Sequence, residues 1–259
     1  MAERIAVFGG IYSNYLALQA ALADVQLRGI GDVYCLGDVG AFGPQPNRVF
    51  PLLREHGVRC IQGNYDNSIG HELPDCQCGY TDPRDNYFAR ISYAYTLAGT
   101  SRDNRAWLRE LPLERRLTVA GRRALMCHGS PRRMNEFLWD STTSSHFLRH
   151  LAEVHEADII LATHTGIKWQ RHFDGKHFVN VGVLGRPEND GTTNVWYAIL
   201  SVDTDVSVEF VPVAYDHDRL AHEMAAERLP DEFIETIRTG WWTTCLEVLP
   251  SKERRRGHN

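Results

Sequence analysis

The sequence predicts an α/β fold, and three observations carry that prediction. Short apolar runs, RIAVFG, DVYCLG, VRCIQG and DIILAT, alternate with segments of helical periodicity. The runs are continuously apolar, as strands buried on both faces are. Polar residues with ligand capacity recur directly after them, at the strand ends where an α/β sheet opens its crevice.

RIAVFG reads as the first strand. The helix NYLALQAALADVQLRG follows, with Asn14 placed to cap it and Gly29 to stop it. DVYCLG is a second strand, PNRVFPLLREHG a second helix and VRCIQG a third strand. Residues 82–113 are helical in pattern, and LTVAGRRALMCHGS is a hairpin whose second strand ends at His128. SHFLRHLAEVH is a helix, DIILAT a buried strand, and IKWQRHFDGKHFVNVG two strands about an Asp174-Gly175 turn. NVWYAILSVD and VSVEFVPV make another hairpin, and residues 216–249 read mainly as helix. No repeat or low-complexity linker interrupts the chain. We expect one domain over 1–249 and a basic, solvated, partly disordered tail over 250–259.

Composition narrows the function classes. The 28 basic and 33 acidic residues give a net charge of −5, so no general attraction to nucleic acid or anionic membrane is expected. No apolar run is long enough to span a membrane, and the N-terminus has no signal-peptide pattern, so a cytoplasmic location is expected. Six cysteines in such a chain are expected to be reduced thiols, with Cys35 and Cys60 in the core. Cys76 and Cys78 are set apart by their polar segment, and C-x-C is not a usual zinc spacing. The aromatic residues Tyr80, Tyr87, Tyr93, Tyr95 and Trp107 are expected to pack the core, and Trp241-Trp242 to cover it.

The loops after the strands hold the chemistry. Asp38 follows the second strand, Asn64, Tyr65 and Asp66 the third, and His128 and His164 end two later ones. Singly, each has an ordinary reading as a turn residue, a cap or a satisfied buried histidine. Together they place one carboxylate, one amide oxygen and two imidazoles at strand ends, where they can converge.

The set LGDVGAFGPQPN, GNYDN, HGSP, THTG and NVGVLGRPENDGTTNVWYAILSVD resembles the calcineurin-like metallophosphoesterase superfamily, in its small bacterial phosphatase and phosphodiesterase branch. The resemblance runs from Ile5 to about Val213. It implies a four-layer αββα sandwich of two mixed sheets and a two-metal site at the strand ends. It also implies that Asp38, Asn64, His128 and His164 hold one ion. Three of the four protein ligands of the other ion are missing, because Gly10, Tyr12 and Gly166 stand at their positions. A further family histidine, which assists at the leaving group, is replaced by Tyr65.

One tightly held divalent transition ion (Mn, Fe or Zn) is therefore expected, and a second is not. Tyr65, Asp66 and His128 are the expected catalytic residues. Gly10, Tyr12, Arg132 and Arg186 are the expected substrate contacts, with Arg133 and the amides of Gly9 and Gly10 as further anion-binding candidates. The expected substrate is a small phosphorylated molecule, with a homo-oligomer left open. The alternatives are an inactive scaffold or ligand-binding protein on the same fold, or different single-metal chemistry in the same pocket.

Overall fold

The computed structural model describes residues 2–255. The first βα units are β1 (Glu3–Phe8), α1 (Tyr15–Leu27), β2 (Asp32–Cys35), α2 (Val49–Glu55) and β3 (Arg59–Cys60). The helices α3 (Asn64–His71), α4 (Pro83–Gly99) and α5 (Arg102–Arg109) come next. Then follow β4 (Arg115–Val119), β5 (Arg122–Met126), α6 (Ser145–Val154), β6 (Ile159–Ala162), β7 (Lys168–Phe173) and β8 (Lys176–Val181). The chain continues through β9 (Val195–Val202), β10 (Val206–Val213), α7 (His217–Ala226), α8 (Asp231–Thr239) and a short α9 (Ser251–Arg255). The Asn14 side chain caps α1 by accepting the Ala17 amide, as its position predicts.

The strands form two mixed five-stranded sheets, ordered β10-β9-β1-β2-β3 and β4-β5-β6-β8-β7. Val7 pairs with Tyr34 on one side and Ala198 on the other, while Leu161 pairs with Met126 and Val179. All six side chains belong to one buried cluster, so these two rows face each other across the sandwich. The alternate residues face outward, because successive strand side chains point to opposite faces. Ala6, Phe8, Val33 and Cys35 pack with α1, α2, α7 and α8, and Leu125, Ile160 and Phe178 pack with α6. That makes four layers, helix–sheet–sheet–helix, and explains why β1, β2 and β6 read as unbroken apolar runs.

Three expectations need correction. The strand expected to end at His128 ends at Met126, which leaves His128 in the loop beyond it. Helix does not extend to residue 249: α8 stops at Gly240, whose φ of +76° is a left-handed cap, and the chain then turns inward to bury Trp242. The tail is ordered at its start, since Glu253 on α9 is buried and accepts the Ser141 amide at 2.8 Å. Residues 256–259 of that tail lie outside the described residues. No described helix is long and apolar enough to cross a membrane.

Candidate metal centre

The loops beyond β1, β2 and β3 in one sheet and beyond β5 and β6 in the other meet at one end of the sandwich. Asp38, Asn64 and His164 line a single pocket there, partly open to solvent. Backbone strain concentrates in these loops, with Tyr12, Asp38 and His164 at φ of +51°, +55° and +71°. Gly63 lets them close. A Cβ there would fall 2.3 Å from Asp38 Oδ1 and 2.9 Å from His128 Cε1.

His128 is the hub. Its Nδ1–H donates to the Leu36 carbonyl at 2.6 Å, which leaves Nε2 turned toward Asp38 and His164. Nε2 stands 3.2 Å from Asp38 Oδ2 and 3.2 Å from His164 Nδ1. One ligand atom from each of Asp38, His128 and His164 lies within 4.8 Å of the others, and all three residues are buried. Asn64, the expected fourth donor, lines the same pocket. Its amide nitrogen donates to the Cys76 carbonyl at 2.9 Å and contacts Cys78 Sγ at 3.4 Å, while its Oδ1 is a buried acceptor with no partner. A buried acceptor left unmade is costly, and a cation is the partner this one lacks.

The electrostatics match a ligand role at His164 and Asp38. Burial pushes the His164 imidazolium down to about 3, assisted by the neighbouring His128, so the ring is neutral with a free lone pair. Burial acts in the same sense on His128, but the Asp38 carboxylate outweighs it and the net shift is upward. For Asp38, burial raises the pKa, yet His128 and the Tyr65 amide outweigh that and hold the carboxyl below its ordinary value.

The other half of the family centre is filled. A Cβ at Gly10 would lie 2.5 Å from Cε1 of the Tyr12 ring. A Cβ at Gly166 would lie 2.8 Å from Trp242 Cη2 and 3.3 Å from Arg186 Nη2. The space an acid and an imidazole would enter is occupied by a phenol, an indole and a guanidinium. Arg186 itself is 6% exposed, with its Cζ 3.6 Å from the Trp242 ring centroid.

Several site assignments change. Arg132 is not at the centre, because its exposed guanidinium is engaged by Glu136. Arg133 is also exposed and donates to Asn135. Gly10 makes no pocket wall. The Tyr12 ring covers it, and its carbonyl accepts the Leu184 and Gly185 amides. Asp66 is a positioning residue. Its carboxylate accepts the amides of Asp38, Val39 and Gly63 at 2.7–2.9 Å, stapling two ligand loops together. Tyr65 lines the pocket, but burial pushes its phenol far above the ordinary value, opposite to what proton donation near neutrality needs. Its OH is held by Ser92 on α4 at 3.1 Å. Cys76 and Cys78 are joined in a disulfide, against the expected thiols, with Gln77 at φ +52° folding the link.

Residues that sequence reasoning passed over also shape the centre. Phe137 packs on the His164 ring at 4.3 Å between centroids, and Trp242 fills the second half-site. Tyr80, assigned to the core, lines the pocket, while Tyr87 is exposed.

Comparison with known proteins agrees with this fold. The chain is 28% identical over 248 residues to protein MJ0912 of Methanocaldococcus jannaschii, covering 91% of this chain and 98% of that one. Its fold matches PH1004 from Pyrococcus horikoshii OT3 with a TM-score of 0.77 at 22% identity, over 93% of this chain and 99% of that chain. It also matches a metallophosphoesterase from Sphaerobacter thermophilus, with a TM-score of 0.70 at 22% identity, over 93% and 100% of the two chains. Residues 4–205 match the calcineurin-like phosphoesterase superfamily domain, and the chain belongs to that superfamily.

Proposed function

We propose that this protein is a phosphoesterase that works from a single divalent ion held by Asp38, Asn64, His128 and His164. The observation that carries the reading is the asymmetry of the centre: three of the four ligand candidates converge and are buried, and the space of the other ion's ligands is packed with side chains. One carboxylate oxygen, one amide oxygen and two imidazole nitrogens suit Mn²⁺, Fe²⁺ or Zn²⁺. Such an ion supplies Lewis acidity toward a phosphoryl oxygen and acidifies a water.

The chain's own residues do the rest. Asp66 and the Leu36 carbonyl fix the ligands before substrate arrives, so no reorganisation is needed at the moment of reaction. Tyr12 and Arg186 bound the pocket on the side of the filled half-site, and Phe42, Phe88 and Phe233 form an apolar wall. A small phosphorylated molecule is the substrate this pocket suits.

Elemental analysis of dialysed protein tests the reading, with one transition ion per chain expected. His128→Ala is expected to lose the ion and the hydrolysis of a generic aryl phosphodiester together. Two ions per chain, or hydrolysis unchanged in His128→Ala, would overturn it.

A further inference from the structure

Arg186 is a buried cation without a carboxylate. It is 6% exposed, its Nε has no hydrogen-bond partner, and the groups acting on it most strongly besides burial are Cys245, Tyr12 and Tyr80. By contrast, Arg132 is paired with Glu136, Lys168 with Glu188 and Arg171 with Asp140. A buried charge with no counter-charge is costly to keep, unless a ligand supplies the missing sign. Arg186 is also held in place, stacked on Trp242, and it lines the pocket that contains Asp38, Asn64 and His164.

Its position sharpens the point. The guanidinium lies beside the space that a side chain at residue 166 would enter, which is the half of the centre that lacks ligands. A planar guanidinium offers paired N–H donors matched to phosphoryl oxygens, and it needs no ligands of its own. The wall of the same pocket begins beside it: the Phe42 ring centroid is 5.8 Å from Arg186 Cζ, and Phe42 and Phe233 pack at 4.6 Å and Phe88 and Phe233 at 5.8 Å between centroids, giving a continuous aromatic surface.

We propose that Arg186 is a built-in second cation: it binds the phosphoryl oxygens of the substrate, whose organic group is apolar or aromatic and lies on the Phe42–Phe88–Phe233 wall. This deepens the phosphoesterase reading and rests on it for the word substrate, but the anion site can be tested by binding alone.

Calorimetry with inorganic phosphate on zinc-loaded protein is the first test. Arg186→Met is expected to keep one ion per chain while losing phosphate affinity by about 10- to 100-fold. Arg186→Lys, which keeps the charge without the fork, is expected to recover part of it. Phosphate affinity within twofold of wild type in a folded Arg186→Met protein would overturn the proposal. Should Arg186→Met fail to fold, the Arg186 Nε–H resonance of the unsubstituted protein decides. It is expected to shift on adding phosphate, and a static signal at saturation overturns the site. Phenylphosphonate is expected to bind at least about fivefold tighter than methylphosphonate, and equal affinities would overturn the aromatic assignment. Phosphate binding that depends on Arg186, in a protein that turns over no phosphoester, would support the anion site and sink the hydrolase reading. Turnover with phosphate affinity indifferent to Arg186→Met would do the reverse.

Discussion

The carboxylate of Asp66 accepts the backbone amide of Asp38 at 2.7 Å, so a candidate ligand is held in place by a residue outside the ligand set. The same carboxylate takes the amides of Val39 and Gly63. Asp66→Ala would orphan three N–H donors in a buried loop crossing. The expected cost is about 3 kcal/mol of stability, read by urea unfolding, together with weaker metal binding read by titration with Zn²⁺. A variant that keeps both stability and metal affinity would return Asp66 to the list of groups acting directly in catalysis.

Tyr65 separates a wall residue from an acid. Its hydroxyl is committed to Ser92, and burial makes it a poorer acid than a free phenol. Tyr65→Phe is therefore expected to cost about 1 kcal/mol in stability and to leave hydrolysis within about threefold of wild type. A proton donor would be worth about 10²-fold or more. A loss of that size, seen as a fall in kcat with KM little changed, would make Tyr65 the donor after all.

The two sheets were legible because burial on both faces erases alternation, and β1, β2 and β6 show that plainly. The four candidate ligands were legible for a related reason: each follows an apolar strand, and although each alone has an ordinary reading, together they fall at strand ends that can converge. The filling of the second half-site was not. Trp242 reaches it from a segment far along the chain, and nothing local in TGWWTT says which way an indole will turn. Arg132 and Arg186 looked equivalent as sequence, each following a strand-end loop. The Glu136 side chain draws one to the surface, while Trp242 holds the other inside. The role of Asp66 lay in hydrogen bonds to loop amides, which leave no pattern in side-chain chemistry.

Electrostatics away from the centre give a pH test of the fold. Asp158 accepts the Arg123 amide and guanidinium, and hydrogen bonding to Arg123 is the main reason its carboxyl is held down to about 2. A folded pKa below the unfolded value means the carboxylate stabilises the fold above about pH 4. That contribution is lost as pH falls from about 4 to about 2. The pair is partly solvated, so the effect is small. Asp158→Asn is expected to lower Tm by about 2 °C at pH 7 and to match wild type near pH 2. A deficit that stays constant across that range would show that lost packing, not charge, sets the difference.

Restoring the family's missing ligand should fail. Gly166 has φ +78°, a conformation that side chains rarely adopt, and its Cβ position is 2.8 Å from Trp242 Cη2. A histidine there must displace the indole, and with it the stacking that holds Arg186. Gly166→His is thus expected to lose about 2 kcal/mol or more of stability while still holding one ion per chain by elemental analysis. That space is packed, and one imidazole cannot rebuild a site whose other two positions are Gly10 and Tyr12. A second equivalent of metal in Gly166→His would show instead that the half-site is merely dormant, with Tyr12, Trp242 and Arg186 yielding readily to a ligand.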